Sequence, residues 1–307
     1  MQYQNNSFKM NLFVVKLSLC FLLFSKITFG QETLEYKLNI GDNLIITQVA
    51  TQEIVQNMNG SKHEMLNNLE CDFNLIVTAK TDSSYVINFS FKRLKIKTMS
   101  NIYGELMNVD TSTELKEGNF EAKMFAGLTN SVLKMEMLKT GKIVKITGTE
   151  AMIKKMVNKT GIEDEFTKEL MFEAIKKEYG NESLSRSFEQ MTYCYPEKKV
   201  SVGDQWTNNF SGNLIAKNTW TLKEINKSII LSGKSNISMN SQEESYVMKL
   251  KGTQETEIIA NKKSGFPELI TVTSNTQGTS ITDQMGKLEI PTTIKSKTIY
   301  KTKKYVQ

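Results

Sequence analysis

Residues 84–97 read SYVINFSFKRLKIK, and this stretch decides the fold class. Its first half alternates apolar and polar residues, with Ile87, Phe89 and Phe91 as the apolar ones. A period of two places such side chains on one face of a β-strand. Leu94 and Ile96 continue at the opposite parity, so one extra residue near Lys92, a β-bulge, is needed to return them to that face. The stretch therefore predicts one long, half-buried strand.

The same period of two recurs along most of the chain, and turn residues such as Thr81–Ser84 and Lys262–Gly265 separate the runs. We predict a mainly β fold of the α+β class. Its core is a long antiparallel sheet, curved or in two parts, with a short helical segment packed on it. The predicted strands are residues 34–40, 43–57, 70–80, 84–98, 132–138, 143–146, 213–224, 228–240, 245–260, 266–277, 279–289 and 292–306.

The helical segment is predicted over residues 149–191, where apolar residues recur every three or four positions. Each of its three helices is amphipathic and must lay an apolar face on another surface, for which the sheet is the large candidate. The three stripes are Met152, Ile153 and Met156; Ile162, Phe166, Leu170, Ala174 and Ile175; and Leu184, Phe188 and Met191. This segment divides the mature chain into an N-terminal β half (31–148) and a C-terminal β half (192–307).

Residues 1–30 have the pattern of a signal peptide: basic residues, a short apolar run over 17–24 and a small-residue end before Gln31. The run is too short for a spanning helix, which needs about 20 apolar residues, so no transmembrane segment is predicted in the mature chain. The pattern predicts an exported protein, periplasmic or secreted. Translation can begin at Met1 or at Met10.

The charge and composition exclude several classes of protein. The chain has 307 residues, 39% of them hydrophobic and 23% charged, which excludes collagen-like, polytopic membrane and disordered proteins. Residues 1–30 carry three lysines and no acid, so the net charge falls from +6 to +3 when they are removed. Little remains of a basic surface for nucleic acid. We expect no nucleic-acid partner.

Catalytic and cofactor motifs are equally scarce in the sequence. A single imidazole, His63, excludes a multi-histidine metal centre, and its polar surroundings favour a surface loop. Glycine-rich phosphate loops, nucleophile elbows and paired cysteine spacings do not occur. We expect no metal, no cofactor and no enzymatic activity. A histidine-independent hydrolase with two distant carboxylates is the third-ranked alternative.

Cys71 and Cys194 are the cysteines of the predicted mature chain. An oxidising compartment permits a disulfide between them. Neither residue lies in a spaced motif, so two separate buried thiols are an equal alternative.

Two pairs of short segments suggest an internal duplication. The stretch Leu38–Asp42 ends in Gly-Asp, as does Val200–Asp204, and each precedes a run that reaches a polar hairpin tip. A lysine-rich tip follows in each half, at Lys139–Gly141 and Lys263–Gly265. We interpret the Gly-Asp pairs as turns rather than catalytic groups.

The stretch from Tyr195 to Trp206, YPEKKVSVGDQW, carries a resemblance to a known family. With the exported N-terminus, residues 36–42 and the hairpin at Gly265, it resembles a family of exported bacterial proteins of unknown function that is typical of Bacteroidetes. The motif residues are Tyr195, Pro196, Gly203, Asp204 and Trp206. The resemblance implies an envelope location and a mostly β fold, and these residues are expected to be structural.

Sixteen methionines suggest a function in binding. Methionine fills irregular space, so a gap between a curved sheet and a helical cover is predicted to accept a lipid or another apolar small molecule, although ordinary core packing explains the methionines as well. The predicted ligand-binding residues are Met152, Met156, Phe166, Leu170 and Met171. The alternative is a structural module, or an interaction module that recruits another envelope protein.

Overall fold

A computed structural model describes residues 30–58, 60–113, 118–212, 214–243, 246–282 and 288–305. The predicted signal peptide lies outside these residues except for Gly30. The described residues from 32 onwards form one unit. Its strands are β1 (Asn43–Met58), β2 (Ser61–Lys80), β3 (Ser84–Ser100), β4 (Gly104–Asp110), β5 (Leu133–Leu138), β6 (Ile143–Thr147), β7 (Gln205–Phe210), β8 (Leu214–Ile225), β9 (Ser228–Glu243), β10 (Tyr246–Asn261), β11 (Pro267–Thr282) and β12 (Leu288–Tyr305). Its helices are α1 (Phe120–Leu128), α2 (Thr149–Lys159), α3 (Glu165–Tyr179) and α4 (Asn181–Thr192).

All twelve strands form one antiparallel sheet in the order β6-β5-β3-β2-β1-β12-β11-β10-β9-β8-β7, with β4 also paired to β3. The predicted mainly β, antiparallel fold is confirmed. The last strand, β12, lies between β1 and β11, so the two halves join into one continuous sheet rather than two parts. The extra residue predicted near Lys92 is also confirmed, because Phe73 pairs with Phe91 and Asp72 with Arg93.

Helix α4 and the residue after it contact both edge strands of the sheet, β6 and β7. The sheet therefore curls around this helix. Glu189 on α4 accepts a hydrogen bond of 3.0 Å from the amide of Ile143 on edge strand β6. Directly after α4, the carbonyl of Tyr193 accepts one of 2.6 Å from Asn208 on the opposite edge strand, β7. The sheet is open, and the Glu189 side chain pairs one of the edge amides of β6.

Several local predictions are wrong. Residues 266–277 and 279–289 are not two strands, because Gly278 lies inside β11, where a Cβ would meet the carbonyl oxygen of Lys249 on β10 at 2.1 Å. The glycine permits close approach instead of a turn. His63 is not in a surface loop but inside β2, where it is buried and bonds Ser100 Oγ at 2.9 Å. Three short elements, β4, β7 and α1, were not predicted.

The Gly-Asp segments form two turns with the same hydrogen bonds. The amide of Gly41 donates to Val77 O at 2.9 Å, and that of Gly203 donates to Leu222 O at 2.8 Å. Asp42 caps its turn by accepting from the Asn39 amide at 2.8 Å, and Asp204 accepts from the Ser201 amide at 2.8 Å. Both glycines have φ near +90°, a conformation that favours glycine. The two segments that suggest a duplication therefore form the same kind of turn.

The predicted strand at residues 34–40 is an extended segment without a ladder of its own. It joins the two lysine-rich tips instead: the Tyr36 amide donates to Lys139 O at 2.8 Å, and the Lys37 amide donates to Ser264 O at 2.7 Å. The tips therefore hold one common segment between the halves.

Candidate functional site

A cavity of about 330 Å³ lies between the inner face of the sheet and the helical layer. Helices α3 and α4 and the end of α1 form one wall: Leu128, Tyr179, Leu184, Ser187, Phe188, Gln190 and Met191. Strands β1, β2, β3 and β12 form the other: Gln48, Leu69, Cys71, Phe73, Phe91, Leu94, Ile96 and Tyr300. Ser187 is exposed to solvent, so the cavity opens beside this residue.

The spacing of apolar residues on α4 explains how the helix covers the sheet. Leu184, Phe188 and Met191 are buried at positions that share one face of the helix. The ring of Phe188 packs against Phe89 and Phe73, with centroids 4.6 and 5.6 Å apart. These edge-on contacts fix the helix over the sheet and leave the cavity beside the aromatic cluster.

Three polar groups stand side by side on the sheet wall. Gln48 on β1 lies directly opposite Cys71 on β2 and Tyr300 on β12. Its Nε2 donates a hydrogen bond of 3.3 Å to the Tyr300 hydroxyl. Burial and the neighbouring Asp72 raise the pKa of the Cys71 thiol to about 12. All three groups are thus uncharged at neutral pH and suit an apolar cavity with a few polar contacts.

The helical wall adds Tyr179, whose pKa is raised to about 12 by burial first and then by Glu178 and Cys71. No Lys, Arg, Asp, Glu or His is among the described residues that line this cavity. Within the described ranges, no group of three or more His, Cys, Asp and Glu residues is placed to hold a metal ion. The cavity can bind an apolar molecule and offer it neutral hydrogen-bonding groups.

The five predicted ligand-binding residues lie elsewhere. Met152 and Met156 are buried on α2, which crosses α1 so closely that a Cβ on Gly127 would lie 2.4 Å from Met156 Cα. Phe166 is 73% exposed and Leu170 is 58% exposed, so the expectation that their stripe faces the sheet is wrong. None of the five, Met171 included, lines the cavity.

The reason for this difference lies in α3, which has two apolar stripes. Phe166 and Leu170 form one, while Met171, Ile175 and Tyr179 form the next around the helix. Met171 follows Leu170 by one position and so lies about 100° further around the helix. The structure buries the stripe to which Met171 belongs. The pattern in the sequence is compatible with either face. Only the partner surface, supplied by distant strands, selects between them.

The motif residues lie where the two halves meet. Tyr195 is buried, packs edge-on against Tyr36 with centroids 5.2 Å apart, and donates a hydrogen bond of 2.5 Å to Gly265 O. Trp206 Nε1 donates to Cys194 O at 2.9 Å. Pro196, which follows Tyr195 in the sequence, is also buried. Gly203 and Asp204 make the turn before β7. These contacts tie the end of α4 to both halves of the sheet.

Cys71 and Cys194 are both free and buried in the structure. Cys71 lies in β2 against the cavity, whereas Cys194 follows α4, where burial raises its pKa to about 12. The two cysteines are therefore separate thiols in the structure rather than a disulfide.

Solved structures resemble this chain at low sequence identity. A structure described as lipid–protein interactions in lipovitellin matches 87% of this chain with a TM-score of 0.51 and 9% identity, a likeness in fold alone. The chain spans 25% of the length of that protein. Two further structures have TM-scores of only 0.22. They are an outer membrane channel from Pseudomonas putida F1 (9% identity; 89% of this chain and 100% of that one) and the translocator domain of the autotransporter NalP from Neisseria meningitidis (6% identity; 95% of this chain and 97% of that one).

In the part of the chain that the structure describes, no helix has the length and apolar character that crossing a membrane requires. A search of curated proteins finds no match to the sequence. A family model, described as a family of unknown function (DUF6263), matches residues 82–267. This range includes the tyrosine-to-tryptophan motif and most of the cavity walls. The chain belongs to this family of unknown function.

Proposed function

We propose that this protein is an exported, non-catalytic binding protein that holds one apolar, lipid-like chain in the cavity beneath α3 and α4. The observation that carries the proposal is the composition of the cavity walls. Leucine, isoleucine, phenylalanine and methionine side chains form most of the surface, and the few polar groups are uncharged. Such a lining is typical of sites for apolar small molecules.

The cavity volume limits the size of the ligand. At about 330 Å³ it lies at the lower end of the roughly 300–1,000 Å³ that ligand pockets occupy. This favours a single acyl chain or ring system over a lipid with two chains. The likeness in fold to a structure described as lipid–protein interactions in lipovitellin is compatible with a lipid ligand.

The absence of charge in the lining supports binding rather than catalysis. A hydrolase without a histidine base needs two carboxyl groups that face each other across the substrate. No residue lining the cavity carries a carboxyl group. An envelope location remains part of the proposal, based on the signal-peptide pattern of residues 1–30.

A role as an interaction module is the second candidate, and one observation favours it. Phe166 and Leu170 expose large apolar side chains on consecutive turns of α3. Exposed apolar stripes of this kind mark surfaces that contact a partner. The α3 residue that lines the cavity is Tyr179, not Phe166 or Leu170. Variants can therefore separate binding in the cavity from contact with a partner.

The cavity can be tested by filling it. Leu69 on β2 is half-buried and lines the cavity, so Leu69→Trp is expected to occupy the space that the ligand would use. The matched control is Ile76→Trp, on the same strand but on the exposed face. Binding of N-phenyl-1-naphthylamine, a neutral dye that fluoresces in apolar surroundings, should be lost in Leu69→Trp and kept in Ile76→Trp. Equal binding by both variants would contradict the proposal.

A further inference from the structure

The inner face of the curled sheet carries no charged side chain next to the cavity. Between the row of residues at Gln48 and the row at Gln56, the inward positions of β1–β3 and β7–β12 include no Lys, Arg, Asp or Glu. His63 is the one titratable group there apart from Cys71 and Tyr300, and it bonds Ser100. Lysines such as Lys295 and Lys297 occupy the opposite face of their strands.

One row on this inner face is entirely polar and crosses nine strands. It begins at Thr98 on β3, passes through Asn67, Gln52 and Ser296, and ends at Asn208 on β7. Every member, those on β8–β11 included, is a threonine, asparagine, glutamine or serine in register with the next. The rows on either side mix apolar side chains with polar ones such as Thr256 and Thr276, whereas this row has no apolar member. Burial of its amides and hydroxyls is costly unless they are hydrogen-bonded.

The two ends of the row differ in how their polar groups are satisfied. Over β7 and β8 the side chains are buried and bonded to one another, with Asn218 Nδ2 donating to Asn208 Oδ1 at 2.8 Å. Near the cavity, Asn67 Nδ2 donates to Gln52 Oε1 at 3.0 Å, but Asn67 Oδ1 is buried without a hydrogen-bond partner among the described residues. Leaving a buried acceptor unpaired is costly, and a donor from a bound molecule would remove that cost.

This unpaired acceptor lies next to the cavity. Leu69 and Ile96 form the edge of the cavity wall, and the next inward residues along the same strands are Asn67 and Thr98. Two residues of a strand span about 7 Å. A chain that fills the cavity with its polar end beside Leu69 and Ile96 would therefore place that end within reach of the row.

We infer that the ligand is a neutral amphiphile whose hydroxyl-bearing headgroup lies on the polar row at Gln52 and Asn67, and this inference rests on the proposed function. Hydroxyl groups donate to Asn67 Oδ1 and accept from the neighbouring amides. A carboxylate or phosphate headgroup has no donor for Asn67 and would lie on a face with no cationic side chain, where a buried anion is strongly disfavoured. The chemical class is thus a single-chain lipid with an uncharged polyol head, such as a monoacylglycerol.

Three ligands with the same 18-carbon chain separate the headgroup from the chain. Displacement of bound N-phenyl-1-naphthylamine is measured at pH 8 with 1-oleoylglycerol, oleyl alcohol and oleate, each below its micelle concentration. We expect 1-oleoylglycerol to bind at least about tenfold more tightly than oleate, with oleyl alcohol between them. Oleate binding as tightly as 1-oleoylglycerol would overturn the inference while leaving the proposed function intact. If none of the three displaces the dye, the proposed function falls as well.

The assignment to Asn67 is tested with Asn67→Leu and its neighbour Asn68→Leu, which lies on the opposite face of β2 and bonds Thr51 at 3.2 Å. Asn67→Leu should reduce the affinity for 1-oleoylglycerol to about that for oleyl alcohol, and Asn68→Leu should leave both affinities unchanged. If Asn67→Leu does not fold, Asn67→Val, which also removes Oδ1 and suits a β-strand, serves the same purpose. A preference for 1-oleoylglycerol that survives in the folded variants would overturn the headgroup assignment.

Discussion

Gln48 on the first strand donates a hydrogen bond of 3.3 Å to the hydroxyl of Tyr300 on the last strand, directly opposite it in the sheet. The pair closes the junction between the two halves and forms part of the cavity wall. Burial, and then Cys71, raise the pKa of Tyr300 to about 12, which keeps the hydroxyl protonated and able to donate to a ligand.

Removal of this hydroxyl should weaken the junction slightly. Tyr300→Phe leaves the Gln48 amide without its acceptor, and a lost hydrogen bond of this kind costs about 1 kcal/mol. We expect the midpoint of urea denaturation to fall accordingly, with binding of N-phenyl-1-naphthylamine retained because the ring still lines the cavity. Tyr103→Phe, at an exposed ring, is the control. An unchanged midpoint in Tyr300→Phe would show that the hydrogen bond contributes nothing to the junction.

Phe188 should be the most important side chain of α4. Its ring is buried against Phe89 and Phe73, and Phe188→Ala should lower the free energy of unfolding by about 3–5 kcal/mol. Phe166→Ala, on exposed α3 surface, should change it by less than about 0.5 kcal/mol. Chemical denaturation of both variants checks this difference, and comparable losses would mean that α4 does not cover the sheet as described.

The glycines of the two hairpin tips should not tolerate a side chain. A Cβ on Gly141 would lie 1.8 Å from Thr192 O, and one on Gly265 would lie 2.1 Å from Glu35 O. We expect Gly141→Ala and Gly265→Ala to reduce the yield of folded protein severely. Gly203→Ala shares the positive φ but meets open space, so it should cost only about 1 kcal/mol. Similar yields from all three variants, assayed by circular dichroism, would refute the close contacts.

Glu189 gives the fold a pH dependence of known sign. Burial raises its pKa, partly opposed by the Ile143 amide and by Lys142. The folded protein therefore holds the proton of the Glu189 carboxyl group more tightly than the unfolded chain does. The stabilisation from this proton is fully present below the pKa of the unfolded chain, about 4.3, and is lost as the pH rises through the pKa of the folded protein. Glu189→Gln keeps an acceptor for Ile143 and should remove this decline.

The measurement is the free energy of unfolding of wild type and Glu189→Gln from pH 4 to 7, with Glu182→Gln, exposed on the same helix, as the control. The difference between wild type and Glu189→Gln should grow with pH. Curves that run parallel would contradict the raised pKa.

Cys71 and Cys194 should resist thiol reagents in the folded protein. With pKa values of about 12, only about one thiol in ten thousand is ionised at pH 8, and both are buried. We expect no reaction of either residue with Ellman's reagent until denaturant is added, and then reaction of both without any reductant. Failure to detect these two thiols after unfolding would instead indicate a disulfide.

The sequence predicts the strands better than the site. Alternation in residues 84–97 fixes the bulge and the buried face of β3, because that information is local. The site depends on which stripe of α3 meets the sheet, and Phe166 and Met171 are equally apolar in sequence. His63 shows the same limit: its polar neighbours indicate a loop, whereas Gln56 and Ser100, which lie beside it on adjacent strands, determine its burial.

The sequence alone does not indicate the polar row either. Asn67, Gln52 and Ser296 are unremarkable polar residues in their own strands, and their alignment depends on the register of β2, β1 and β12. Register between strands more than 200 residues apart cannot be read from alternation alone.

The most direct test of the central claim is to identify what the protein carries. Wild type, Leu69→Trp and Ile76→Trp are purified from native envelope under mild conditions and measured by native mass spectrometry, followed by solvent extraction. We expect one single-chain lipid per molecule in wild type and Ile76→Trp, and none in Leu69→Trp. Ligand-free wild-type protein, or the same lipid content in folded Leu69→Trp, would contradict this claim.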